Sequence, residues 1–447
     1  MSLRSYAGKT GGYLARPGTI VVTAFLIRYV LFYDKMVHWP APVHGTFEFG
    51  AETGRLARSV VLGEGFSGPL EGSQGPSAWM TPLFPLFLAG VFKICGIYSW
   101  LSFLVIKSLD CAISAITAWP VWAIARRAFG TRTGVAAAWI WTVLPSAVFF
   151  PVVWVWDTSL SALAFALILY ATLAVREKTR TGTWAGYGAL WGVGAMVNAS
   201  VVSTLPFLLG WAAKELKART ARWMKPALVA VVAFGVVISP WFVRNYVVFH
   251  RLILFRSNFG LELWLGNNPR NPGIWSWWLH PNDDSGERKI FTQLGEIPYM
   301  ELRQHEALKW IRTHPGEFGH DTLHRFVDNW TGFDEPLASL LSRSLDSVLI
   351  VLADLIFPLL ALPGVLLAYR RKNACAFPFA AGILFFPLVY YITHTSLRYR
   401  HPIDPLLCVL AGYSVVSAGA WVGSRVFRSG ATAAAKSEER EMAAAGE

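Results

Sequence analysis

The sequence predicts an all-α, polytopic membrane protein, and three observations carry that expectation. Of 447 residues, 54% are hydrophobic and only 15% charged, with a mean hydropathy of +0.41; a soluble domain carries nearer a quarter charged residues. Apolar runs long enough to cross roughly 30 Å of hydrocarbon recur along the chain, each needing about 20 helical residues. The 21 Trp and 14 Tyr suit a protein with two membrane interfaces to anchor. A formal charge of +12 fits basic residues in short cytoplasmic loops that set topology. No basic stretch is interleaved with aromatics in a recognition module, so nucleic acid is not an expected partner. Cys95, Cys111, Cys375 and Cys408 lie in or beside apolar segments without a CxxC, which suggests neither a disulfide framework nor a zinc site.

The elements follow in order. "TIVVTAFLIRYVLFY" has basic residues before it (Arg4, Lys9, Arg16) but no small-residue cleavage pattern after it, so it reads as a retained first span over 18–34. Further basic loops come at Arg126, Arg127 and Arg132, at "REKTR" (176–180), at "KELKARTARWMK" (214–225), at "YRRK" (369–372), and at Arg425 and Arg428. If all are cytoplasmic, the spans between them come in pairs. That rule decides the stretch 80–125: short, proline-broken "MTPLFPLFLAGVFKICG" lies in the outer interface or is re-entrant, and "LSFLVIKSLDCAISAITAWPVWAIA" becomes span two. Spans three to seven are expected at 133–152, 157–175, 184–198, 200–213 and 226–243. Residues 244–345 are polar, Trp-rich and full of turn signals such as "GNNPRNPG", and read as a small α-helical extracytoplasmic lobe. Spans eight to ten are expected at 346–369, 375–393 and 403–424, before a cytoplasmic tail, 426–447, expected to be disordered. The domain plan is thus 1–243, with a first outer loop at 35–98, then 244–345, 346–425 and the tail. About ten spans, both termini cytoplasmic, place the chain in a plasma (inner) membrane.

Three charged stretches then meet at the outer face. In "FEFGAETGRLARS" Glu48 and Glu52 share a helical face. A carboxylate at the bilayer surface can act as a general base on an acceptor hydroxyl or amine; the alternative is a solvated amphipathic helix pairing Glu52 with Arg55 or Arg58. Asp157, in "WVWDTSLSALAFAL", opens span four either as a plain helix N-cap or as an acid lining a cavity beside Trp156. In "HTSLRYRHPIDP", Arg398, Arg400 and His401 form an outward basic cluster against the usual charge bias. Guanidinium forks suit phosphate oxygen pairs; the alternative is snorkelling to membrane lipid headgroups. Arg244, in "PWFVRN", is a lesser candidate on the same argument. Lys107 and Asp110, three apart in span two, are expected to neutralise each other. Asn198 and Asn245 read as helix-end hydrogen bonders. The glycines of "GYGALWGVGAMVN" have the spacing of a close helix contact, with no preceding strand to make a nucleotide loop.

An acid-bearing helix after span one, "SAWMTPLFPLFLAGVFKICG", "ARRAFG", an Asp opening span four and a terminal "LRYRHPIDP" occur in that order. Together they resemble the GT-C glycosyltransferases, in particular the bacterial relatives of protein O-mannosyltransferases and the lipid A aminoarabinose transferase. The likeness covers most of 18–425. It implies a GT-C bundle of about ten transmembrane helices, interfacial helices in the first outer loop, and a polyprenyl-phosphate sugar donor. A hexosyl or pentosyl group would pass to a lipid, glycan or protein acceptor at the outer face. The resemblance makes the first-loop acid the base, has Asp157 support the site, and gives the donor phosphate to the late basic residues. The family's adjacent Asp–Glu pair is replaced here by Glu48 and Glu52, separated by three residues; counting back from "RLARS", the family acid falls at Phe49, and Glu52 is the preferred base with Glu48 next. One base and one leaving anion, with no carboxylate nucleophile, favour direct displacement with inversion. No cofactor is required, and converging acids leave room for a divalent metal. A transporter or lipid-linked sugar flippase would place its ionisable residues at the bilayer midplane, whereas here they concentrate at the surface; a third reading keeps the fold with the base lost.

Sidedness is testable directly. Cysteines at Lys178 and Thr220 should be shielded from an impermeant thiol reagent in intact cells and one at Ser285 labelled; labelling at Thr220 with protection at Ser285 would reverse the orientation.

Overall fold

The computed structural model describes residues 12–38, 49–271, 276–332 and 345–444. Glu48 falls outside them. The described chain is helical, with no strand among these residues beyond one antiparallel bridge between Ser67 and Pro76. The bundle opens with α1 (Pro17–His38), and two loop helices follow, α2 (Glu52–Val61) and α3 (Leu83–Cys95). Next come α4 (Trp100–Ile116), α5 (Ala118–Phe129), α6 (Thr131–Val143), α7 (Pro145–Val153) and α8 (Thr158–Val175). After α9 (Thr181–Val197), a 3-10 turn at Ala199–Thr204 leads into α10 (Leu205–Lys217) and α11 (Met224–Phe249). The lobe holds α12 (Phe259–Gly266), α13 (Ser285–Leu294), α14 (Glu296–Thr313) and α15 (Pro315–Thr331). The chain closes with α16 (Leu345–Arg370), α17 (Ala376–Phe385), α18 (Leu388–Ile392), α19 (Leu397–Arg400) and α20 (Asp404–Ala444).

By length and apolarity, four helices suffice to cross a membrane: Trp100–Phe129, Thr158–Val175, Met224–Phe249 and Leu397–Ser424; the bent pair α6–α7 makes a fifth. Loop charge alone predicts about ten. The difference lies in segments that are short or interrupted, such as α10 at 13 residues and the apolar stretch Ala376–Ile392. Helix α3, also 13 residues, reaches only about 20 Å, short of a full crossing. The glycine spacing in α9 does what its sequence suggests: a Cβ on Gly188 would lie 1.9 Å from the Ala230 carbonyl oxygen and one on Gly192 2.6 Å from Val237, so α9 and α11 meet backbone to backbone.

Two expectations change. Helix α20 continues to Ala444 through the stretch expected to be disordered. The lobe also starts later than residue 244, because α11 carries helix to Phe249, and its core is not its own. Leu261, Trp264, Leu265, Phe291, Tyr299 and Met300 pack with Leu70 and Trp79 of the first loop. Glu296, at the start of α14, accepts from the Ala78 amide and the Ser257 hydroxyl, each at 2.7 Å, and burial raises its pKa. Loop and lobe fold as one layer over the bundle end.

Inside the bundle, Pro145 bends α6 against α7 by 43°. Proline has no amide proton, so the carbonyl four residues back, at Trp141, loses its helical donor. Fully buried Arg28 of α1 supplies it: its guanidinium donates to the Trp141 and Thr142 carbonyls (3.2 Å each), to Ala147 O (3.1 Å) and to Ser114 Oγ (2.9 Å). Lys107 likewise serves backbone. Its Nζ donates to the Trp154 carbonyl at 2.8 Å; no contact within 4 Å joins it to Asp110, whose carboxylate oxygens are buried without a hydrogen-bond partner, so the two charges act on each other at longer range while the lysine staples the loop before α8. Arg28→Ala should lower the thermal midpoint of the detergent-purified protein markedly, since each buried acceptor left bare costs about 1–3 kcal/mol. Arg28→Lys should recover only part, lacking the fork. Equal midpoints for all three proteins would contradict this role.

Candidate active site

Where loop, lobe and bundle meet, five short segments bring charged side chains together. The first is the start of α2. Gly50 has φ +78° and lies so close to the loop before α8 that a Cβ there would sit 2.3 Å from the Val155 carbonyl oxygen; only glycine fits. Ala51 follows at φ 45°, a costly conformation for a residue with a Cβ, and Glu52 begins the helix. Glu52 Oε1 accepts from Asn282 Nδ2 of the lobe and lies 3.7 Å from His280 Nε2. Asn282 Oδ1 in turn accepts from Arg55 Nη1 at 2.9 Å, so the amide bridges the Glu52–Arg55 pair that the sequence allowed to meet directly. Arg288 holds the Pro281 and Asn282 carbonyls. The Glu52 side chain is 17% exposed, set into a partner surface rather than out in solvent.

The second segment carries Trp156 and Asp157. Asp157 does not cap α8 with its side chain; Oδ2 accepts from Ser161 Oγ at 2.9 Å, and Ser161 receives Asn198 Nδ2 at 3.4 Å. The third and fourth are Arg256 with Glu262, and His394. Glu262 Oε2 lies 2.6 Å from His394 Nε2, and Oε1 accepts from Asn258 Nδ2 at 2.5 Å, with Arg256 at 3.7 Å. Burial alone would raise this carboxyl; the hydrogen bond and charge of His394, with Arg256 and His280, pull it down to about 2.

The fifth is Arg398. Its guanidinium stacks on Trp156, 3.9 Å from the ring centroid, and Nη2 donates to the Tyr399 hydroxyl at 2.6 Å. No carboxylate among the described residues pairs with it within 4 Å, although Glu52, Asp157 and Glu262 all lie within reach of its field. Arg256 also acts on Asp157. The cluster therefore presents a carboxylate, Glu52, held by lobe donors, and a guanidinium flattened on an indole with its remaining N–H groups uncommitted.

The other expected phosphate ligands are elsewhere. Arg400 is buried in the bundle, its Nε on Asp404 (3.0 Å) and its other nitrogens on the Asn329, Trp330 and Asp354 carbonyls. His401 Nδ1 meets Asp404 Oδ2 at 2.9 Å, with its ring on Trp141 and Phe150. Arg244 donates to the Ser77 and Phe66 carbonyls at 2.6 and 2.9 Å and to Asn245, tying the first loop to α11. Both arginines are spent on protein acceptors, and His401 is held by Asp404 through Nδ1 while its Nε2 is buried without a partner. Conversely, Arg256, Glu262, His280, Asn282, His394 and Tyr399 escaped the sequence reading. His394 opens the very stretch that contains Arg398, and Glu262 is a lone acid in apolar "LELWLG"; Arg256 and Asn282 gave no signal. The room left for a divalent metal is not filled by a donor set: no group of three His, Cys, Asp or Glu side chains is placed to hold an ion among the described residues.

The Glu262 geometry has a pH consequence. A carboxyl whose folded pKa lies below its unfolded value stabilises the fold above the unfolded value, near 4.5, and loses that contribution as pH falls through about 2. Wild type should therefore lose stability across that window in acid unfolding, and Glu262→Gln should flatten it. Identical acid profiles would mean the carboxylate is not held by His394.

Against known proteins, residues 79–243 match the family model for dolichyl-phosphate-mannose-protein mannosyltransferase. No curated protein sequence matches the chain. Among solved structures, the Archaeoglobus fulgidus oligosaccharyltransferase AglB with an inhibitory peptide and a dolichol-phosphate is 15% identical, with TM-score 0.54, over 92% of this chain and 51% of that one. The same enzyme with Zn and sulfate gives 13% identity and TM-score 0.52, over 91% and 50%. With a tethered acceptor peptide containing the NVT sequon it gives 14% and 0.53, over 90% and 49%. The chain spans about half the length of these neighbours. It carries the fold of the GT-C membrane glycosyltransferases, and residues 79–243 are the part that matches the mannosyltransferase family.

Proposed function

We propose that this protein transfers a sugar from a polyprenyl-phosphate donor to a lipid, glycan or protein acceptor at the outer face of the plasma (inner) membrane, with both its termini cytoplasmic. The observation that carries the reading is the pairing of Arg398, stacked on Trp156 and without an ion pair among the described residues, with a lobe-held Glu52 in one cluster. The family match and the neighbour solved with a dolichol-phosphate support a lipid-phosphate leaving group.

The acceptor oxygen or nitrogen attacks the anomeric carbon while its proton passes to Glu52. The bond from that carbon to the phosphate oxygen breaks, and the electron pair leaves with the polyprenyl phosphate. Arg398, with Arg256 beside it, stabilises the negative charge that builds there; donors already in place at the site of developing charge are the strongest catalytic device available to such a site. Glu262 holds Arg256, Asp157 lies within the field of both arginines, and Tyr399 orients Arg398 through its hydroxyl. One displacement inverts the anomeric centre. Among the described residues no metal donor set is assembled, and no step is routed through one.

Transfer from a panel of radiolabelled polyprenyl-phosphate sugars, with purified protein, tests the scheme. Glu52→Gln should lower turnover by roughly 10²–10⁴ with donor binding little changed. Arg398→Ala should weaken donor use tenfold or more, a charged hydrogen bond being worth about 1.5–3 kcal/mol, with Arg398→Lys recovering only part. Arg400→Ala should instead lower folded yield, because it empties a buried ion network. Glu52 and Arg398 variants within a few-fold of wild type would defeat the assignment. A wild type that transfers nothing from any donor would favour a chain that kept the fold and lost the base, a reading that buried, aromatic-packed Phe49 at the family acid position also supports.

A further inference from the structure

The lobe carries a second cluster that the transfer does not use. Helix α15 places Glu317, His320 and His324 three and four residues apart on one face. With Asp321 they line a groove of about 510 Å³, together with Asn271 and Trp310.

Both imidazoles lie beside a buried acid, and at His320 the contact is a hydrogen bond. His320 Nδ1 lies 3.3 Å from Asp321 Oδ1, and His324 Nδ1 lies 3.4 Å from Asp328 Oδ2. The two acids are buried, while the histidine side chains are 79% and 46% exposed. The rings are parallel within 13°, with centroids 6.3 Å apart. At His320 an Nδ1–H donated to Asp321 leaves the Nε2 lone pair free, and this outer bond is how metal-binding histidines are oriented.

We propose that His320 and His324 chelate a divalent cation of the zinc class, a borderline acceptor that suits imidazole, with Glu317 one turn earlier as an oxygen ligand. Two Zn–N bonds of about 2.0–2.1 Å at a tetrahedral angle hold their nitrogens roughly 3.4 Å apart. The rings must therefore pivot toward each other from their present spacing, and Glu317 must swing in, since no three ligands are preassembled among the described residues. The exposure of both histidines makes that motion cheap. The remaining coordination positions face the groove, open to water or to donor atoms of a molecule lodged there.

Equilibrium dialysis of the untagged full chain in detergent against zinc alone tests the site. Wild type should bind one ion that the His320→Ala and His324→Ala variants each lose, and Glu317→Gln should weaken it by roughly tenfold. These exposed substitutions should leave the thermal midpoint unchanged, so loss of binding is readable as loss of ligands. Equal zinc binding by wild type and the double histidine variant, or no zinc binding by wild type, overturns the proposal.

Discussion

The constraint on which this structure depends is that backbone carbonyls at broken helices, in and beside an apolar medium, need a donor. Three buried arginines meet it. Arg28 serves the carbonyls freed by Pro145. Arg325 of α15 donates to the Gly266 carbonyl at the end of α12 and to Tyr391 and Ile392 at the end of α18. Arg400 covers the Asn329 and Trp330 carbonyls in the last turn of α15. A cation at a helix C-terminus is favoured by the helix dipole as well as by the hydrogen bonds, and a guanidinium reaches several carbonyls at once. Each arginine therefore joins elements far apart in sequence by satisfying groups that each element could not satisfy alone.

The site inherits its geometry from these joints. Arg325 locks the end of α12 to the residues just before His394, and a Cβ on Gly266 would sit 1.7 Å from the Thr393 carbonyl oxygen, so this is backbone contact. The same joint sets His394 against Glu262. Arg400 then anchors the turn two residues beyond Arg398, leaving Arg398 on Trp156. Lys107, bonded to the Trp154 carbonyl, fixes the segment that carries Trp156 from below. On the opposite side Gly50 presses against Val155 and brings Glu52 in. Catalytic candidates drawn from five segments are held by backbone contacts, an arrangement suited to electrostatic preorganisation.

Loop and lobe are interdependent. Leu70 and Trp79 complete the lobe's core, Glu296 ties the Ala78 amide to Ser257, and Asn282 reaches from the lobe to Glu52. The first-loop carboxylate is thus shaped by a region more than two hundred residues later in the chain. Phe49 packs its ring against Phe92, Tyr98 and Phe103, and Glu52, one turn on, finds its partners in the lobe.

The sequence by itself determined the class, because hydropathy and low charge act residue by residue. It also marked α9 for a close helix contact, because small residues at helical spacing admit a close neighbour; that the neighbour is α11 came from the packed fold. Glu52, Asp157 and Arg398 were legible as charges at span ends, where an ionisable group needs a reason. What the tertiary structure decided is which charges remain uncommitted. Arg398 and Arg400 are two residues apart and equal in sequence; one faces an indole without an ion partner among the described residues, the other is consumed by Asp404 and three carbonyls. Arg244 went the same way, and Glu262, His394 and Asn282 became part of the site only through partners brought from distant segments. Local pattern registers a charge, but the carbonyl or carboxylate that neutralises it arrives from another helix, and only the packed fold says which side chain is left to act.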